Sequence, residues 1–164
     1  MLRAAFAGGL IVAAMVPKRI QMTQPAGPYR IELNLLLAEP FVSAAAAASG
    51  AVTEGMVALG GAAPVPPSAA NHHLVAHVFD RLSGHALTHA DVRIRYRHGG
   101  SSLAFAVPIV RMEAVGKGPQ STHYGNNVRL RPGDYYITVT ANGHSATFHL
   151  TLNPSTTTSN GAMI

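Results

Sequence analysis

Residues 134–151 read DYYITVTANGHSATFHLT. Two runs of β-forming residues flank Asn142-Gly143, the pair that suits a type I′ turn because both central positions need a positive φ. In the second run Ala146, Phe148 and Leu150 fall on one side, and Thr147, His149 and Thr151 on the other. That period of two belongs to a half-buried strand. The segment is therefore predicted to be a β-hairpin, and its pattern recurs upstream.

Residues 90–97 (ADVRIRYR) alternate in the same way, with Val92, Ile94 and Tyr96 opposite an arginine stripe of Arg93, Arg95 and Arg97. Residues 72–80 (HHLVAHVFD) are apolar in both registers, which predicts a strand covered on both faces. Residues 29–37 (YRIELNLLL) alternate and then turn continuously apolar, also as a strand. Residues 102–112 read as one further strand, with Pro108 placing it at an edge or at a bulge. Short strands are expected at 54–60 and 126–130. The run 43–49 (SAAAAAS) is long enough only for a helical turn or a loop. Gly and Pro punctuate residues 61–70, 99–100, 113–125 and 132–133. Short strands with turns at this spacing predict an all-β, immunoglobulin-like sandwich of about seven to nine antiparallel strands.

The length of 164 residues fits one domain. Residues 1–28 are expected to be a signal or leader, because Arg3 precedes an apolar run over 4–16 that Pro17, Lys18 and Arg19 close. The sandwich is expected over 29–152. The Ser/Thr/Asn-rich residues 153–164 are expected to be a disordered tail. Export to the periplasm or beyond follows from the leader.

There is no cysteine, so disulfides and thiolate metal sites are excluded. The net charge is +5, yet the arginines are scattered and no basic run with stacking aromatics accompanies them, which argues against nucleic acid. The sequence holds no G-x-S-x-G, H-E-x-x-H, P-loop or dinucleotide fingerprint. With seven acidic residues in all, paired-carboxylate catalysis has few members to draw on. The chain is not expected to be an enzyme.

Nine histidines and six methionines remain as the chemically distinctive set. Imidazole binds copper, zinc and iron, and thioether sulfur adds a preference for Cu(I). His73 and His77 share a face of one strand but lie about 13 Å apart along it, so other segments must complete any site that uses either. Met112 ends one strand and His123 stands on the far side of a loop, a place where ligands are often carried. An equally available reading has Met112 in the core and His123 capping backbone. Met56, Glu54 and Glu113 are secondary candidates. His85, His89, His98, His144 and His149 are read as surface residues.

Residues 118–130 (GPQSTHYGNNVRL), followed by Pro132-Gly133-Asp134-Tyr135, resemble the GPHYG-x-N-(V/I)-(K/R)-(L/M)…G-x-Y segment of a family of periplasmic iron-uptake proteins. The resemblance implies an immunoglobulin-like fold, bound copper and ferric iron, a homodimer, and an inner-membrane iron permease as partner. It also implies Met112 and His123 as copper ligands, with His73 from an upstream His-x-Glu strand. This chain departs from that pattern in four places. Val75 stands for the Glu, Phe79 stands where that strand often has a second His, Met112 and His123 are eleven residues apart around an enlarged loop, and the His-rich C-terminal segment is replaced by Ser and Thr. A His₂Met copper site tolerates these changes better than a carboxylate-rich ferric one. Two other readings fit the same residues: a metal-free interaction module with incidental histidines, and a copper chaperone without a link to iron.

Overall fold

The computed structural model describes residues 19–154. The leader residues before 19 and the tail after 154 lie outside the described residues. Eleven strands are described: β1 (Ile20–Ala26), β2 (Tyr29–Leu37), β3 (Phe41–Val42), β4 (Met56–Gly61), β5 (His72–Asp80), β6 (Val92–His98), β7 (Ala104–Ala106), β8 (Val110–Ala114), β9 (His123–Val128), β10 (Gly133–Ala141) and β11 (His144–Leu152). They form a seven-stranded sheet, β1-β2-β5-β9-β8-β4-β3, and a four-stranded sheet, β11-β10-β6-β7. The fold is an all-β, immunoglobulin-like sandwich with more strands than the seven to nine expected. One pair, β3 with β4, is parallel.

The core lies between the sheets. Ile31, Leu33 and Leu35 of β2 and Leu74, Ala76 and Val78 of β5 meet Ile137 and Val139 of β10 and Phe148 of β11. Each is inward because alternate residues of a strand share a face. The hairpin is as expected: β10 pairs β11 across Asn142 (φ 46°) and Gly143 (φ 83°). The Tyr135 hydroxyl donates to the Arg131 carbonyl and accepts from the Arg131 N–H, both at 3.0 Å. A tyrosine tied to backbone a few residues upstream is a corner device of immunoglobulin-like sandwiches.

Three boundaries differ from the sequence expectation. The segment 102–112 is two strands: β7 joins the four-stranded sheet and β8 the seven-stranded one, with Pro108 at the crossing. Pro108 lacks the N–H a ladder needs, so the chain changes sheets there. The loop expected over 113–125 ends earlier, because His123 already begins β9. Finally, residues 20–26 lie within the expected leader, yet they form edge strand β1, paired with β2 from Ile20↔Leu35 to Ala26↔Tyr29. The folded region therefore starts before residue 29.

The far end of the large sheet curls over its own outer face. Phe41 of β3 lies edge-on to His73 of β5, ring centroids 6.1 Å apart. The Glu39 N–H donates to Asn127 Oδ1 on β9 at 3.0 Å. This curl encloses the side of β5 that faces away from the core.

Candidate metal centre

The central strands of the large sheet bring the candidate residues together by register. On β5, His73, Val75 and His77 project opposite to the core residues Leu74, Ala76 and Val78. Asn127 lies across from His73, and Gly125 from Val75. On the other side of β9, His123 lies directly across from Met112 of β8. The ten residues between Met112 and His123 close this pair: the end of β8, then a loop over 115–122 with a short 3₁₀ turn at Pro119–Ser121. Directly opposed residues share a face with Cβ atoms about 5 Å apart. Gly125 permits the close approach of β9 to β5. Its φ is 153°, and a Cβ there would sit 2.1 Å from the Leu74 carbonyl oxygen.

Both site histidines are held by their Nδ1 atoms. His73 Nδ1 lies 2.9 Å from Asn127 Oδ1. The orientation of that amide is fixed, because Asn127 Nδ2 donates to the carbonyls of Glu39 (2.8 Å) and Val65 (2.7 Å). Oδ1 can only accept, so His73 Nδ1 carries the proton. His123 Nδ1 lies 2.7 Å from the Ser121 carbonyl, which also can only accept. Each ring therefore presents Nε2 with a free lone pair. Those two Nε2 atoms are the buried side-chain nitrogens or oxygens without a hydrogen-bond partner among the described residues. Leaving such an atom unpaired costs about 1–3 kcal/mol. The arrangement, Nδ1–H anchored on an oxygen and Nε2 bare, is the one metal-ligating histidines adopt.

The rings are close. His73 and His123 centroids are 5.9 Å apart at an interplanar angle of 85°. His77 and His123 centroids are 4.8 Å apart at 30°. Two nitrogens on one ion lie roughly 4 Å apart at most, given metal–nitrogen bonds of about 2 Å. Burial pushes the His73 imidazole down to about 4, partly offset by the Asn127 hydrogen bond. Burial, followed by the neighbouring His77, pushes His123 down to about 3. His77 is also lowered by burial, with Glu32 opposing. All three are neutral near pH 7, the form that ligates metal.

Met112 is fully buried and packs with Val75 and Val110, while Met56 and Phe41 lie against the same cluster. Among the described residues no three of His, Asp and Glu converge on a point that could hold an ion. Met112 is the sulfur-bearing residue directly across β9 from His123 on the same face. The other candidates are placed differently. Glu54 is exposed. Glu113 projects away from the site face and accepts from the Thr122 hydroxyl at 3.2 Å, bracing the residue before His123. His85, His89, His98, His144 and His149 are exposed, as expected.

A cleft of about 260 Å³ opens beside the histidines, and Arg19, Asn34, Glu39, Met56, His77 and His123 are among its lining residues. Arg19 donates through Nε (3.0 Å) and Nη2 (2.8 Å) to Asn34 Oδ1. Burial, then nearby Glu54, raises the Glu39 carboxyl above the usual range. The sequence reading singled out neither Asn127 nor the cleft residues Arg19, Asn34 and Glu39. Asn126-Asn127 within the HYGNNV stretch was the one available signal, since paired asparagines in a strand imply hydrogen bonding to loops.

The structural class is an all-β sandwich, here with a buried pair of bare imidazoles on the outer face of its large sheet. No protein-family profile matches the sequence, and no curated protein does. Solved structures do match the fold. One is the copper-reconstituted P19 protein from Campylobacter jejuni, with a TM-score of 0.55 and 12% identity over 76% of each chain. Another is FetP from uropathogenic E. coli strain F11, expressed in the E. coli periplasm. Its TM-score is 0.57 at 13% identity, over 82% of this chain and 95% of that one. At these identities the likeness is one of fold. Among the described residues no helix is long and apolar enough to cross a membrane.

Proposed function

We propose that this chain is a periplasmic, non-enzymatic copper-binding protein that holds the ion as cargo for metal uptake through a membrane permease. His73 and His123 supply imidazole nitrogen and Met112 supplies thioether sulfur. The observation that carries this reading is the pair of bare, buried Nε2 atoms, each on a ring whose Nδ1 is anchored to an oxygen. The fold shared with a copper-reconstituted protein supports it. So does the resemblance of residues 118–135 to periplasmic iron-uptake proteins, which also brings ferric iron, a homodimer and the permease into the proposal.

The donor set favours Cu(I). Two imidazoles and a thioether are a soft set, and Val75 fills the place where a hard site would want a carboxylate. The test is isothermal titration of the full chain with Cu(I), Cu(II), Fe(III) and Zn(II), beside a Met112→Leu/His123→Ala variant. Tight Cu(I) binding is expected, weakened about 100-fold or more in the variant because two of three donors are gone. Absence of bound metal, or equal affinity in both proteins, would overturn the proposal.

A further inference from the structure

The proposed ligands are sealed from water. His73 and Met112 have no exposed surface, and His123 is 2% exposed. An ion has to reach them through the protein. Two other cavities do not lead there. The one lined by Gly60, Gly61, His89, Arg111 and Tyr124 sits beside Tyr124 and Arg111, which project from the opposite faces of β9 and β8 to His123 and Met112. The one lined by Thr23, Arg30, Asp80 and Arg81 includes no candidate ligand. The 260 Å³ cleft includes His77, Met56 and the buried His123 together.

His123 stands between its neighbours. Its ring centroid is 4.8 Å from His77 on the cleft side and 5.9 Å from His73 on the interior side. Its bare Nε2 is buried and reaches no hydrogen-bond partner. His77 is fixed by ring stacking on Phe79, centroids 6.0 Å apart and planes 5° apart. On the opposite wall Met56 joins cleft and interior, because it also packs against the cluster that contains Met112. The donors thus form a file from the cleft inward: Met56 and His77, then His123, then His73 and Met112.

We infer that the cleft is the loading route for a soft monovalent cation such as Cu(I), and that His77 is a transient ligand that receives the ion and passes it to His123. This inference rests on the His73–Met112–His123 reading of the resting site. Transfer is ligand exchange without redox change. The ion gains the His123 Nε2 bond before it gives up His77, then completes its coordination with His73 and Met112. His73 and His77 are four positions apart along β5, about 13 Å, too far for one resident ion, which fits their service at successive positions rather than at one.

The experiment follows rapid Cu(I) loading of the full chain under anaerobic conditions. The metal is presented as a chromophoric Cu(I) chelate whose colour is lost on transfer. Wild type, His77→Phe, which keeps an aromatic ring in the stack, and Met56→Leu are compared, with circular dichroism verifying that each is folded. In His77→Phe the loading rate is expected to fall about tenfold or more while the equilibrium affinity stays within about threefold of wild type, because the resting ligands are intact. Met56→Leu is expected to slow loading less. Unchanged loading in His77→Phe would overturn the route. A loss of affinity matching that of His123→Ala would make His77 a resident ligand and overturn the transient role. Failure of wild type to take Cu(I) at all would instead overturn the resting site itself.

Discussion

Strand β5 carries two unlike faces. Leu74, Ala76 and Val78 are fully buried in the hydrophobic cluster between the sheets, where no buried side-chain nitrogen or oxygen is left unpaired among the described residues. His73, Val75 and His77, one residue out of phase, look to the other side, where two histidine nitrogens are buried with no partner. The same strand therefore stabilises the fold on one side and carries an energetic debt on the other. The contrast supports the proposed site. A cost that packing does not explain is retained where a ligand removes it.

The largest expected effect breaks the comparison from the core side. Leu74→Ala removes a buried side chain from the middle of the sandwich, and the loss is expected to be about 2–5 kcal/mol by urea unfolding. A cost below about 1 kcal/mol would mean that the two faces do not differ in the way described.

Much of the first face was legible in the sequence. The Asn142-Gly143 hairpin and the strands at 29–37 and 72–80 follow from alternation and turn chemistry, and they appear with nearly the expected bounds. Strand β1 was hidden because it is an edge strand whose alternate residues are exposed Gln21, Thr23 and Pro25, and its inner side carries Gln24 and the small Ala26 beside Ile20 and Met22. The second face was legible in part. The residue types at 73, 112 and 123 stood out, but their meeting depends on three strands that are distant in sequence. Register puts Met112 opposite His123, and β5 lies beside β9. No local pattern reports that pairing. The spacing of His73 and His77 was readable, whereas the placement of His123 between their rings was not.

The second expected effect is a pH dependence that belongs to the functional face. His73 and His123 titrate near 4 and 3 when folded, against 6.5 for an ordinary imidazole. Below pH 6.5 the unfolded chain binds more protons than the folded one. Stability is therefore fully present above that pH and is lost as pH falls toward the folded values, with no further loss from these groups below them. The slope is at most about 1.4 kcal/mol per pH unit for each histidine. Urea unfolding at pH 7, 6 and 5 measures it, and His123→Leu is expected to reduce the slope. An equal slope in that variant would place the dependence elsewhere.

The smallest expected effect on stability is the most discriminating. Met112 belongs to both faces of the argument, since it fills space beside Val75 and Val110 and stands across from His123. Met112→Leu conserves volume and apolar character, so its cost in unfolding is expected to stay under about 1.5 kcal/mol. Leucine has no sulfur, so Cu(I) affinity is expected to fall about tenfold or more, the size of effect that removal of a metal-site interaction produces. A residue that only packs would leave affinity unchanged when its shape is kept. A thioether ligand would show the opposite profile, nearly silent in unfolding and plain in copper titration. If both measurements stay at wild-type values, Met112 is core alone, and the two imidazoles must find their third donor among the residues of the cleft.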